Sequence, residues 1–277
     1  MGAQLRFDRI SEDAFESILA QYPETVPSKL ADLEEQRLSA IPARLQQRKA
    51  EDKAYLTKEE VATLVDWKLS HGTFRPSLKG LVQQNSEEFV EETTTVGFSG
   101  TSLNDSLNIL TKLKGIGPAT AALLLSTNDA EKLPFFSDEL FRWAFWEDRS
   151  GARWDRKIKY SLKEYRELVA KVDELRKRIG RTALEAEKVA YVLGKQGANL
   201  RGAEEASKTS EPAESTKTSV QAKRKAAAVK DTDEKADANP SAKSQKTQAS
   251  SGPQRMTRSS KRQKWYYYRG LVISTTA

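Results

Sequence analysis

Apolar residues recur every three to four positions through most of residues 1–200, which is the spacing of one face of a helix. The spacing is clearest in three segments that each open with Ser or Thr followed three residues later by Glu. Such a pair forms a capping box, which satisfies two free amides at the start of a helix. We therefore predict helices that open at Thr57, Ser161 and Thr182, the first closing at Gly72 and the third before Gly194.

Weaker helical patterns cover most of the remaining positions up to residue 200. They predict helices over Ser11–Gln21, Lys29–Arg48 with a break or kink at Pro42, Leu78–Asn85 and Glu87–Thr93. Strand patterns are scarce, and short pieces such as Thr94–Phe98 are predicted to be extended connections between helices. The predicted fold class is all-α.

A tight turn is predicted between two further helices, Leu103–Leu113 and Ala119–Ser126. Gly115 and Gly117 flank Ile116, and we expect both glycines to adopt backbone angles that a Cβ would forbid, while Ile116 anchors the turn in the core.

Such a hairpin leaves the first amides of its second helix unpaired, so that they can donate to an anion. Main-chain amides contact phosphate rather than bases, and the hairpin therefore predicts DNA binding without sequence preference. The residues expected to contribute are Lys112, Lys114, Gly115, Ile116, Gly117, Ala119 and Thr120. The alternative is a packing corner between two helices that serves only the fold.

The net charge of +7 belongs mostly to the C-terminal part of the chain. Residues 203–264 hold 14 Lys and Arg against 8 Asp and Glu, Arg201 and Arg269 add two positive charges, and residues 1–200 are left at −1. The charge is therefore no support for DNA binding by the helical part. We expect a helical domain over residues 1–200, a disordered basic tail over 201–264, and an apolar terminal segment over 265–277.

The tail contains two basic clusters, Lys223–Lys225 and Arg255–Lys264. Clusters of this kind bind nuclear import receptors, chromatin proteins or DNA, and they predict a nuclear protein; the alternative is a solvated tail without a partner. The segment 265–277 fits an edge strand, a docking peptide or translated non-coding sequence.

The residue types present exclude several kinds of site. The chain has no cysteine and a single histidine, so zinc and iron–sulfur centres cannot be assembled, and we expect neither a metal nor another cofactor. His71 is predicted to be a cation that favours the end of its helix. Because no apolar run is long enough to cross a bilayer, we expect a protein that does not enter membranes. We also expect it to be a monomer.

The segment Leu113–Ala121, Leu-Lys-Gly-Ile-Gly-Pro-Ala-Thr-Ala, resembles the hairpin of the helix-hairpin-helix DNA glycosylase superfamily. After an apolar helix it is followed by Leu133–Arg142, Leu-Pro-Phe-Phe-Ser-Asp-Glu-Leu-Phe-Arg, which resembles the family's apolar pair, helix-opening aspartate and basic residue. The string that ends at Trp143 also resembles a narrower group of eukaryotic proteins. These matches cover some thirty residues.

The resemblance implies that Asp138 is the catalytic aspartate of a DNA N-glycosylase in base excision repair and that Arg142 lies beside the DNA. Ala119 stands where bifunctional members carry a lysine, which implies a monofunctional enzyme. Two alternatives stay open. Asp138 can simply favour the start of a helix capped by Ser137, and the domain can be a DNA- or protein-binding module that keeps the fold without catalysis.

Two further clusters have both a functional and an ordinary structural interpretation. The basic segment Arg149–Lys159 contains Arg153 and Lys157, which are candidate phosphate contacts if it is not simply a solvated loop. The aromatic side chains of Trp67, Trp143, Phe145 and Trp146 could stack an extruded base, but their spacing favours a place in the core.

Overall fold

Every regular element that the computed structural model describes is helical. The structure describes residues 2–72, 76–147 and 153–201, all within the unit Met1–Ser215, and no strand occurs in these three ranges. The all-α prediction is confirmed for them. The second unit, Thr216–Ala277, lies outside the described residues, as do the predictions made for the tail, its basic clusters and the terminal segment.

The α-helices follow one another with short connections. In chain order they are α1 (Glu12–Leu19), α2 (Tyr22–Thr25), α3 (Ala31–Glu35), α4 (Ile41–Ala50), α5 (Lys58–His71), α6 (Pro76–Gln83), α7 (Glu87–Phe98), α8 (Leu103–Leu110), α9 (Pro118–Asn128), α10 (Asp138–Ala144), α11 (Leu162–Ile179) and α12 (Ala183–Lys195).

The three predicted capping boxes are confirmed at the starts of α5, α11 and α12, where both hydrogen bonds of each box are present. Gly72 follows the last residue of α5, as expected. The predicted end of α12 is wrong, because the helix continues through Gly194 to Lys195. Gly194 serves close packing instead, since a Cβ there would lie 2.6 Å from Cγ of Glu139.

The predicted break near Pro42 takes the form of a π-helical turn, Gln36–Ala40, between α3 and α4. Pro42 is then the second residue of α4, directly after this turn.

The prediction of an extended connection over Thr94–Phe98 is wrong, because α7 runs through these residues. Thr94 is buried, and its hydroxyl donates to the carbonyl of Val90 at 2.8 Å and accepts from the amide of Leu56 at 3.0 Å. Gly97 lets α7 approach Leu110, which a Cβ would meet at 2.7 Å. Helix α8 ends at Leu110, three residues before its predicted end.

Helix α9 lies at the centre of the domain. Its residues 119–127 are all buried, and it contacts α4, α5, α8 and α11. A helix that is apolar on every side has no face to offer to water and must be enclosed by its neighbours. The position of its first residue, Pro118, is therefore fixed by the surrounding helices.

A buried ionic cluster, Glu34, Arg37 and Glu187, joins the N-terminal helices to α12. Arg37 Nη2 lies 2.6 Å from Glu187 Oε1, and both side chains are almost fully buried. Glu34 accepts hydrogen bonds from Trp67 Nε1 at 2.8 Å and from the Tyr22 hydroxyl at 3.1 Å. Burial raises the pKa of Glu187, although Arg37 opposes the rise.

The turn before α9 is built on Gly115. Its φ is +80°, and a Cβ would lie 3.0 Å from Val82 Cγ2 and 3.1 Å from the Leu78 carbonyl oxygen. Ile116 is buried, as predicted. The prediction is wrong for Gly117, which has φ −91° and ψ 179° and no atom within 4 Å of a Cβ position. Any residue can adopt that conformation.

We expect the two glycines to respond oppositely to alanine. Gly115→Ala should lower the free energy of unfolding by about 1–3 kcal/mol, because alanine is strained at positive φ. Gly117→Ala should leave it unchanged or raise it by up to about 1 kcal/mol, because alanine restricts the unfolded chain. Urea unfolding followed by circular dichroism measures both, and equal losses for the two variants would contradict this account of the turn.

Candidate functional site

A cavity of about 410 Å³ lies at the amino end of α9. It collects residues that are far apart in sequence, from the turn before α9, from the start of α10, and from α5, α6, α12 and the segment before α11. The lining residues are Lys68, His71, Gly72, Leu78, Gly115, Gly117, Pro118, Ala119, Thr120, Phe135, Phe136, Ser137, Asp138, Glu139, Arg142, Tyr160 and Lys195.

Three residues of the cavity wall have main-chain amides without a partner in the described part of the chain. The N–H groups of Gly115, Gly117 and Ala119 meet no acceptor within residues 2–72, 76–147 and 153–201. The amide of Thr120, which we expected to be free, donates to the carbonyl of Gly117 at 2.9 Å. Three consecutive non-proline residues of the cavity lining other than the buried Ile116 therefore have amides that are available to a ligand.

The predicted contact residues divide into two groups. Asp138, Arg142, Gly115, Gly117, Ala119 and Thr120 line the cavity. The second group does not line it: Lys112, Lys114 and Lys157 are exposed, Ile116 is buried beneath the turn, and Arg153 lies with its guanidinium 5.9 Å from the ring of Trp146.

Asp138 is the first residue of α10, directly after Ser137, whose hydroxyl accepts from the amide of Leu140 at 3.2 Å. Oδ1 of Asp138 accepts a hydrogen bond from the Tyr160 hydroxyl at 2.5 Å, and Oδ2 lies 3.2 Å from Arg142 Nη2. The side chain is still 36% exposed. The carboxylate is thus held in one orientation while it remains in contact with the cavity.

Tyr160 is a site residue that the sequence did not reveal. Its φ is +53°, in the left-handed region that residues other than glycine rarely adopt. Such a conformation costs about 1–3 kcal/mol and persists where the surrounding structure requires it. Here it places the hydroxyl on Asp138 and the ring 5.5 Å from that of Phe136. No residue pattern marks a positive φ at a tyrosine.

His71 was predicted to be a cation at the end of α5, and this prediction is wrong. Its ring packs 4.5 Å from the ring of Trp67 and 4.5 Å from that of Tyr191, and these three residues form an aromatic cluster. The Arg37 guanidinium lies 3.9 Å from the centre of the Trp67 ring, and Lys195 Nζ lies 4.9 Å from the centre of the Tyr191 ring. Burial, Arg37 and Lys195 together lower the pKa of His71 to about 3.

The second carboxylate of the cavity wall, Glu139, also has a cationic partner. Its Oε1 lies 3.3 Å from Nζ of Lys195. The absence of a side chain at Gly194 makes room for Glu139 against α12 and so brings these two groups together. Each of the two cavity carboxylates, Asp138 and Glu139, thus has a cationic partner.

The aromatic residues near the site have structural roles. Trp67, Trp143 and Trp146 are buried, which confirms their predicted place in the core. Part of the basic segment before α11 is structural as well, since Arg156 donates to the carbonyl of Phe145 at 3.3 Å.

No protein-family model, curated protein or solved structure matches the chain. The resemblance seen in the sequence therefore stays a prediction.

Two absences hold for residues 2–72, 76–147 and 153–201. No group of three or more His, Asp or Glu suited to a metal ion occurs there. None of the helices there has the length and apolar character needed to span a bilayer.

The residues of this cavity have three chemical properties that bear on function. Free amides at the start of α9 can bind an anion, because they and the helix dipole favour negative charge. A fixed carboxylate, Asp138, can stabilise positive charge that develops on a ligand. His71 remains uncharged at neutral pH.

The single histidine makes its ionisation directly measurable. We expect the ring resonances of His71 to show no titration between pH 5 and pH 8, because its pKa lies near 3. Between pH 6.5 and pH 3 the unfolded chain binds a proton that the folded chain does not. This difference lowers the free energy of unfolding by up to about 1.4 kcal/mol per pH unit as pH falls.

His71→Phe is the control for this prediction, because it keeps a ring in the aromatic cluster and has no titratable group. Its unfolding free energy should fall less steeply with acid than that of the wild type, by the slope that His71 contributes. A histidine midpoint near pH 6.5 in the folded protein, measured by NMR, would contradict the assignment.

Proposed function

We propose that the protein is a monofunctional DNA N-glycosylase of the helix-hairpin-helix type, which binds duplex DNA and removes a damaged or mismatched base. The observation that carries the proposal is that one cavity contains both the free amides of the turn and the carboxylate of Asp138. Sequence resemblance suggested each feature separately. Their convergence, across two loops and a buried helix, supports a shared ligand.

The turn is suited to a DNA phosphate. Gly115, Gly117 and Ala119 offer amides at the amino end of α9, an eleven-residue helix whose dipole adds partial positive charge. The open space over Gly117 lets a ligand approach the backbone closely. Exposed Lys112 and Lys114 lie on the same turn and add attraction that falls with salt.

Asp138 acts on the sugar of a nucleotide whose base has left the duplex stack. When the bond between C1′ and the base breaks, the base keeps the electron pair and positive charge develops on the sugar. A carboxylate held by Tyr160 and Arg142 stabilises that charge without first reorganising. Water then bonds to C1′, and its proton passes to Asp138. Tyr160 and Arg142 are positioning residues in this scheme.

Two further features bear on the proposal. The cavity volume falls in the range of about 300–1,000 Å³ that is common for small-ligand sites. Ala119 puts no amine at the position where bifunctional members carry a lysine, and we propose that the reaction stops at the abasic site. We propose a nuclear location and binding to an import receptor or chromatin proteins through the basic clusters of residues 201–264.

The second candidate function is a non-catalytic DNA- or protein-binding module. The observation that favours it is that both oxygens of Asp138 are already engaged, one by Tyr160 and the other by Arg142. Paired in this way, the carboxylate also stabilises the junction between α10 and the segment before α11.

Base release decides between these two functions. We expect the wild type to create abasic sites in at least one of a set of duplexes that carry uracil, alkylated, oxidised or mismatched bases. Asp138→Asn should lower the rate at least 100-fold, because the amide cannot stabilise positive charge. Alkaline cleavage of labelled duplexes measures the release.

Asp13→Asn is the matched control, since it changes an exposed aspartate in the first turn of α1 and should retain the wild-type rate. If no duplex loses a base while all are bound, the protein is the non-catalytic module.

Gly117→Val tests the phosphate site separately from catalysis. The side chain fits the fold but occupies the approach to the amides, and we expect the dissociation constant for undamaged duplex DNA to rise about tenfold, or about 1.4 kcal/mol. Fluorescence anisotropy at two salt concentrations measures it. Ala50→Val, at the exposed end of α4, should bind like the wild type. Unchanged affinity of Gly117→Val would refute the phosphate site.

A further inference from the structure

We infer that the cavity selects an uncharged base that presents a carbonyl oxygen, and that a ring N–H of His71 donates to this oxygen. The inference rests on the proposed function, and it adds the class of base and the residue that recognises it. Three features of the cavity lead to it: the unused hydrogen-bonding capacity of His71, the net charge of the wall with the occupied aromatic rings beside it, and the donors that remain besides the turn amides.

His71 has unused hydrogen-bonding capacity. Within the described part of the chain its ring nitrogens have no hydrogen-bond partner, although the ring is packed against Trp67 and Tyr191. The residue lines the cavity, so a ligand there can reach it. A neutral imidazole carries one N–H donor and one acceptor nitrogen, and the two tautomers allow either nitrogen to be the donor.

The cavity offers little electrostatic attraction to a positively charged base. The charged side chains of its wall sum to +1, with Lys68, Arg142 and Lys195 against Asp138 and Glu139. Cations also bind to the faces of aromatic rings. Beside this cavity the Arg37 guanidinium already lies over the Trp67 ring, and Lys195 Nζ already lies over the Tyr191 ring.

Donors other than the turn amides, which the proposed function assigns to a phosphate, also line the cavity. They are a ring N–H of His71 and the Lys195 ammonium, which keeps further N–H groups beyond the one directed at Glu139. Carbonyl oxygens are the acceptors that bases present. A base that lacks them forgoes these hydrogen bonds, and the site disfavours it for that reason.

The class that meets both conditions comprises neutral bases with carbonyl oxygens, such as deaminated, oxidised or mismatched pyrimidines and purines. Purines alkylated on a ring nitrogen carry positive charge while they are attached to the sugar, and the cavity selects against them. Uracil and 7-methylguanine are suitable representatives of the two classes, because both have a carbonyl oxygen and only the second is cationic in the nucleotide.

The test uses the full chain labelled with ¹⁵N-histidine, which yields the signals of one ring. It is mixed with duplexes that contain 2′-fluorinated nucleotides, whose N-glycosidic bonds resist cleavage, bearing uracil, 7-methylguanine or no damage. We expect the ring ¹⁵N signals of His71 to shift with the uracil duplex and to remain unchanged with the other two. Equal shifts with 7-methylguanine, or none with bound uracil duplex, would overturn the inference.

Release of base from the corresponding unfluorinated duplexes separates this inference from the proposed function. A histidine shift without base release supports the recognition site and refutes the glycosylase activity. Uracil release without a histidine shift supports the glycosylase activity and refutes the recognition site. Absence of any DNA binding refutes both.

His71→Phe gives a second readout. The phenyl ring preserves packing against Trp67 and Tyr191 but has no N–H, and we expect the preference for the uracil duplex over the 7-methylguanine duplex to fall about tenfold, or about 1.4 kcal/mol. Circular dichroism checks its fold. An undiminished preference in the folded variant would overturn the role of His71, and if the variant does not fold, the wild-type NMR titration decides.

Discussion

The buried ion pair between Arg37 and Glu187 is the interaction on which the site depends most. It joins positions 150 residues apart, and removal of one partner from such a pair leaves a buried charge that costs about 3–5 kcal/mol. Apolar residues could supply comparable stability, but they would not supply a cation over Trp67. That cation helps to keep His71 uncharged. The ion pair of the core therefore affects the charge of a residue in the cavity wall.

A second constraint passes from the core to the cavity through α9. Because the helix is buried on all sides, its first turn cannot move independently of the helices around it. Gly115 allows the chain to enter it by a path that would strain any other residue and that lies against Leu78 and Val82. Asn85 fixes the same turn by bonding to both the amide and the carbonyl of Lys114. The free amides are thus displayed by a rigid support.

The sequence predicted those features of the fold and the site that depend on short-range residue patterns. Capping boxes placed three helix starts, glycine spacing placed the turn, and Ser137 placed Asp138 at the start of a helix. Local patterns failed where tertiary contacts decided the outcome. The segment Thr94–Phe98 is helical because the buried hydroxyl of Thr94 donates to the carbonyl of Val90. The last helix continues through Gly194 because the side chain of Glu139 occupies the space that a Cβ would need. His71 looked like a helix-ending cation because the rings and cations around it come from distant segments.

Tyr160 shows why a single carboxylate can be assessed only with its partners. Oδ1 of Asp138 accepts from the Tyr160 hydroxyl and Oδ2 lies beside Arg142, so the carboxylate is held in place where it can stabilise developing positive charge. In the proposed reaction charge stabilisation comes first, and the proton of water then reaches a carboxylate that Tyr160 and Arg142 already hold in position.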